Sequence, residues 1–270
     1  MASCVHQTIA ILNLFLFPLQ PAIDYRLAPE TCFPGPLHDV VCAYLRLVED
    51  LHIPPENIII CGDSAGGGLS LALLMYLRDN GYTLPSGAIL LSPWVGEYLL
   101  FWFFFFFFVI IHPVIVDLTM SCESWDSNAP YDVVPFPAAD NHMNPIALYL
   151  GENIEMYLTH PYASPLFGDF KDLPPLLIQV GDAEVLRDEI ILLAHKATLA
   201  GVQVKHELYE DAVSYLNIFS SSASYLAFIR STYFRHIHFL MLHTILSSRC
   251  AILCTRCYLN VSLDRHNCLA

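Results

Sequence analysis

Basic residues are scarce in this chain. It has 12 lysines and arginines against 26 aspartates and glutamates, for a formal net charge of −14 over 270 residues. Neutralising phosphates requires a basic face, so a nucleic-acid partner is excluded. Charge of either sign is thin, at 14% of residues, while 55% are hydrophobic, the reverse of a disordered composition. The nine cysteines are odd in number and show no paired spacing. A disulfide-built secreted domain therefore does not fit, and an intracellular setting is expected. There is no internal repeat. The length suits one large domain or two small ones, able to bury about 75% of the unfolded chain's surface.

The apolar content is uneven. It is concentrated in 1–20, 96–116 and about 214–260, and the chain between reads as an ordinary α/β protein. Short β-branched or aliphatic runs at 57–61, 87–91 and 176–180 predict buried strands. Residues 64–78 predict a helix with Arg78 in its last turn and Gly81 as its stop. A second helix is expected over 188–200, stopped by Gly201, and an alternating strand over 202–209. Strands alternating with helices imply a mostly parallel sheet covered by helices on both faces. From Tyr98 to Val116 no residue carries a formal charge, and Phe103 to Phe108 are consecutive phenylalanines. That length approaches a bilayer span, so membrane association through 98–116 is one expectation.

Gly62-Asp63-Ser64-Ala65-Gly66 has the Gly-x-Ser-x-Gly pattern, with a predicted strand before it and a small-residue helix after it. A sharp strand-to-helix turn strains the nucleophile's backbone, so its neighbours must be small. Gly62, Ala65, Gly66 and Gly67 meet that need. The turn lifts the Ser64 hydroxyl above the sheet edge at the positive end of the helix. The Ala65 backbone N–H then faces the position of a tetrahedral oxyanion.

Together, Asp24-Tyr-Arg-Leu-Ala-Pro-Glu30, Gly62-Asp-Ser-Ala-Gly-Gly67 and Leu186-Arg-Asp-Glu189 resemble the hormone-sensitive-lipase-like family of α/β-hydrolases, nearest its fungal steryl acetyl hydrolase branch. Ser92-Pro-Trp94, Asp117-Leu-Thr119 and His160-Pro-Tyr-Ala-Ser-Pro-Leu166 are similar to it as well. The resemblance implies an α/β-hydrolase fold and a carboxylic-ester hydrolase acting on a small-molecule ester through an acyl-serine, with no metal or organic cofactor. It also implies an acid after the strand 176–180, which falls on Glu184, with Asp182 as the alternative. Asp188 and Glu189 suit the start of the next helix. The segment 117–166 is expected to supply cap and loop material, with Trp94 and Trp125 as wall or core residues.

Two parts of the family pattern are absent. The base histidine should follow the turn Tyr209-Glu210-Asp211-Ala212-Val213, where this chain has Ser214. A serine hydroxyl cannot hold a proton near neutrality as imidazole does. His206 lies inside a predicted strand, and His236, His238 and His243 lie in a stretch without family character. A His-Gly-Gly-Gly type loop should precede Asp24, and no glycine run stands there. The early strands are therefore expected to be missing, and the fold to be incomplete at its C-terminal end as well. The alternative functions are a ligand-binding pseudo-hydrolase, as in the gibberellin receptors that resemble this family and lack the histidine, and a membrane protein spanning at 98–116. Cys250, Cys254, Cys257, His266 and Cys268 have a spacing that fits no common zinc pattern, so no metal is expected.

The hydrolase core is thus expected over 21–95 and 117–213, with 1–20, 96–116 and 214–270 outside it. We read those three stretches as translated introns or displaced exon ends. Leu14 to Gln20 can be written in pyrimidine-rich codons ending in CAG, Gly96-Glu97-Tyr98 can contain a GT donor, and Val213-Ser214 can be GTA-AGT. Sequencing transcripts across codons 96–116 checks this: mature messages should lack the segment, and retention at full abundance would contradict it.

Overall fold

The computed structural model describes residues 8–13, 22–93, 119–132, 144–210 and 251–254. Seven strands and six α-helices follow in the order β1 (Thr8–Asn13), β2 (Ala22–Asp24), α1 (Gly35–Leu45), β3 (Ile58–Asp63), α2 (Ala65–Asp79), β4 (Gly87–Leu91), α3 (Ser124–Ser127), α4 (Pro145–Leu150), α5 (Ile154–Tyr157), β5 (Leu176–Gly181), α6 (Arg187–Leu199), β6 (Val204–Tyr209) and β7 (Ala251–Cys254). One sheet holds all the strands in the order β2-β1-β7-β3-β4-β5-β6. From β7 to β6 every pairing is parallel, and β1 runs antiparallel to both β2 and β7. This is the mostly parallel α/β sheet expected from the alternation of short apolar runs with helices.

β3, β4 and β5 are buried along their whole apolar length because both of their faces are covered. Ile58, Ile60, Ala88, Leu90, Leu176, Ile178 and Val180 form one face, and they share a core with α1, α2 and α6. The alternate residues Ile59, Cys61, Ile89, Leu91 and Leu177 are buried on the opposite face. The helix stops behave as anticipated: Gly81 and Gly201 both adopt positive φ, the backbone that suits a residue just past a helix end.

Two features depart from expectation. The strand anticipated over 202–209 begins at Val204, and its Leu208 is 48% exposed. The cause is position, since β6 is the outermost strand and is incompletely covered. The sheet also continues beyond β3 through β7 and β1, which come from stretches where no strand was anticipated. β7 pairs with β1 and β3, both distant in sequence, and short apolar runs of that kind are ambiguous by periodicity. Among the described residues no helix is long and apolar enough to cross a membrane; 98–116 lies outside them.

Candidate active site

The parallel register fixes which residues can meet. Asp63 pairs with Leu91, and Leu91 pairs with Gln179. The chain therefore leaves β3, β4 and β5 at one edge of the sheet, and Ser64, Ser92 and the turn after β5 emerge there in a row. Backbone bonds continue the row past the strands: Ser64 N–H donates to Leu91 O at 2.9 Å, and Ser92 N–H donates to Gln179 O at 2.8 Å.

Ser64 has φ 56° and ψ −125°, a left-handed backbone that costs a non-glycine residue about 1–3 kcal/mol. It is half-buried, and α2 begins at the next residue. The turn folds this tightly only because its neighbours lack side chains. A Cβ on Gly62 would collide with the backbone of Gly66 and Gly67, and one on Gly67 would lie 2.6 Å from Pro93 Cβ. Gly67 and Gly68 N–H bond to the Ser64 carbonyl at 2.9 and 3.3 Å, so α2 opens with the N–H groups of Ala65 and Gly66 ahead of them. These helix-start N–H groups lie at the positive end of the dipole, where negative charge is stabilised.

Glu184 lies in the turn between β5 and α6 and is 1% exposed. Its Oε1 accepts from Ser92 Oγ at 2.8 Å and from Gly181 N–H at 2.8 Å. Its Oε2 is buried with no hydrogen-bond partner. Burial pushes the carboxyl up to about 8; the bonds from Ser92 and Gly181 oppose that shift, while Asp132 and Asp63 add to it. Nearby Arg187 does not offset it, because its guanidinium is taken by the Asp188 carboxylate and the Asp182 carbonyl. A carboxyl in this state lacks one thing, a cationic donor at Oε2.

Asp182, the alternative acid, is placed differently. Its N–H bonds to Tyr209 O on β6, and its carbonyl accepts from Asn128 and Arg187. The hydroxyl bond from the β4 end goes to Glu184, which is thereby tied to the strand beside Ser64.

The segment 119–132 fastens the acid turn in a way the sequence did not announce. Asn128 Nδ2 donates to the Asp182 and Glu184 carbonyls at 3.0 and 2.7 Å. Ser124 Oγ donates to Val185 O and accepts from Asp188 N–H, while Asp132 accepts from Val185 N–H. Trp125, fully buried, donates its indole N–H to Glu189. These contacts join residues more than fifty positions apart, so no local spacing could have revealed them. Ser92 lay in a motif already noticed, without a role.

The described histidines do not reach the serine. His38 and His52 are exposed on and just past the α1 region, and His195 lies on the exposed side of α6. His160 packs among Phe33, Tyr157 and Tyr162. Tyr162 in turn stacks on Tyr76 and bonds Asp79, about 20 Å along α2 from Ser64 at the helical rise. His206 stays in mid-strand opposite Ile178, as expected, with its Nε2 buried and without a partner. Burial, and then His195 nearby, hold its ring below the usual histidine range. Ser214, His236, His238 and His243 lie outside the described residues. Of the cysteine–histidine set near the C-terminus, only Cys254 falls in a described element, β7. Among the described residues no cluster of three His, Cys, Asp or Glu side chains could hold a metal.

The geometry meets known proteins at this point. A family profile described as alpha/beta hydrolase fold matches residues 21–100 and 105–215. An acetyl-hydrolase of Streptomyces hygroscopicus is 36% identical over 195 residues, covering 70% of this chain and 54% of that protein. An esterase of Acinetobacter venetianus is 33% identical over 205 residues, covering 74% and 57%. The crystal structure of an esterase from the bacterial hormone-sensitive lipase family aligns with TM-score 0.63 at 36% identity, over 82% of this chain and 64% of that one. A hormone-sensitive lipase from a metagenome library aligns with TM-score 0.64 at 30% identity, over 83% and 66%. The chain thus spans a little over half the length of these two curated relatives.

Two outcomes follow from this geometry. Gly62→Ala should lower unfolding free energy by about 2 kcal/mol or more in urea titrations, since the colliding atoms are backbone and cannot rotate away. The Glu184 carboxyl is raised in the folded chain, so its stabilising contribution is full below its unfolded pKa and is lost as pH climbs towards about 8. Relative to Glu184→Gln, the parent should therefore lose up to about 1.4 kcal/mol per pH unit across that window in melting experiments.

Proposed function

The chain belongs to the alpha/beta hydrolase fold family, in its hormone-sensitive-lipase-like group, and from that premise we propose that its chemistry is carboxylic-ester hydrolysis through an acyl-serine at Ser64. One observation carries the reading. Glu184, buried and pinned at Oε1, has an open Oε2 at the same sheet edge as the strained Ser64, two strands away. Two strand spacings amount to about 10 Å. Backbones that far apart leave room between their side chains for an imidazole hydrogen-bonded to a hydroxyl at one nitrogen and a carboxylate at the other.

In the proposed reaction, Ser64 Oγ attacks the ester carbonyl carbon and gives its proton to a base. The carbonyl oxygen becomes an oxyanion facing the Ala65 N–H. The tetrahedral intermediate collapses, the C–O bond to the alcohol breaks, and the alcohol leaves with that proton. Water then attacks the acyl-serine, the bond from the acyl carbon to Ser64 Oγ breaks, one proton of that water restores the Ser64 hydroxyl, and the carboxylic acid is released. Short acyl groups such as acetate are the proposed substrates, in keeping with the acetyl-hydrolase relative. Asp182 is not needed in this scheme.

The base is the weak link. With Ser214 where the family pattern has histidine, proton transfer falls to water, and loss of a base of this kind costs on the order of a million-fold. The chain as it stands is therefore a slow hydrolase.

Turnover of p-nitrophenyl acetate tests the reading. Ser214→His should raise kcat by at least about a hundredfold, and that gain should vanish when Ser64→Ala is added. A gain that survives Ser64→Ala would contradict it.

A further inference from the structure

Ser92 is 8% exposed and sits at φ 37°, a left-handed backbone. A β-strand end has no need of that conformation, and a serine adopts it only when surrounding bonds hold it there. Two bonds do so. Its N–H is taken by Gln179 O, which continues the β4–β5 ladder, and its hydroxyl is taken by Glu184 Oε1. Ser92 thus turns towards the neighbouring strand's turn and meets the carboxylate that the Gly181 N–H also reaches.

Both donors converge on the same oxygen. A carboxylate held by two donors at Oε1 cannot rotate to offer that oxygen elsewhere, so its orientation is set and Oε2 is kept for a further donor. We infer that Ser92 is a positioning residue: its hydroxyl fixes the Glu184 carboxylate so that Oε2, and only Oε2, is left open for the base that the family pattern supplies and that Ser214→His would restore. This rests on the hydrolase reading above and deepens it by assigning a further side chain to the acid end of the relay.

The electrostatic surroundings make the hydroxyl necessary. The charged groups that act on Glu184 are acidic: Asp132 from the segment after α3 and Asp63 from the end of β3, while Arg187 is engaged by Asp188. Among side chains, Ser92 is the donor that favours the ionised form of Glu184, and Gly181 supplies the backbone counterpart. Its loss leaves the carboxylate with one donor in a buried, negative environment.

The test reads Glu184 directly. The full chain is labelled with 13C at glutamate carboxyls, the Glu184 signal is assigned with Glu184→Gln, and its titration is followed in Ser92→Ala and Ser92→Gly. Ser92→Gly removes the hydroxyl while relieving the left-handed backbone, so a folded variant is secured and strain is separated from hydrogen bonding. Both variants should bind the Glu184 proton about tenfold more tightly than the parent. A titration unchanged in either variant would overturn the inference. Ser64-dependent ester turnover in the Ser214→His background alongside an unchanged titration would refute the role of Ser92 alone. Turnover in that background indifferent to Ser64→Ala would refute the hydrolase reading, and with it the purpose assigned to Oε2.

Discussion

The parallel register of β3, β4 and β5 is the constraint on which the rest depends. It aligns Asp63, Leu91 and Gln179 across the sheet, so the residues that follow them leave from one edge. Without that alignment, Ser64, Ser92 and Glu184 would be three unrelated polar residues. With it, a strained hydroxyl-bearing turn, a bridging serine and a buried carboxyl form a line one strand spacing at a time. Parallel strands leave the same edge in the same direction, and helix starts add their N–H groups there. The chemistry of the site is thus a consequence of the topology before it is a consequence of any one side chain.

The energetics divide between the two ends of that line. At the Ser64 end the cost is conformational, and the absence of side chains at Gly62 and Gly67 lets the turn close. At the Glu184 end the cost is electrostatic. A buried carboxyl surrounded by Asp63 and Asp132 resists ionisation, and only the Ser92 hydroxyl and the Gly181 N–H ease it. Asn128, Ser124 and Asp132 hold the backbone of that turn from outside the sheet. In the proposed reading, an acid held so firmly, with one oxygen open, is the half of a relay that a protonated imidazole would complete.

Much of this was legible in the sequence. The serine turn could be read because its cause is local: a β-branched strand, a run of small residues and a helix follow one another without a break. The acid could be read through the resemblance of Leu186-Arg-Asp-Glu189 and its upstream turn, which left Glu184 and Asp182 as alternatives. The contact with Ser92 separates their positions. That contact and those of Asn128, Ser124 and Trp125 were invisible because they span the fold rather than a motif. β7 was missed for the same reason, as it pairs only with β1 and β3, far away in sequence. The partial exposure of β6 reflects its place at the sheet edge, which periodicity does not encode.

The account is tested most directly by asking which atom of the chain accepts an acyl group. Intact-protein and peptide mass spectrometry after exposure to an activated acetyl ester should show a single acetyl adduct on the peptide bearing Ser64, absent from Ser64→Ala. An adduct on another residue, with Ser64 unmodified under conditions where the fold is intact, would contradict the account.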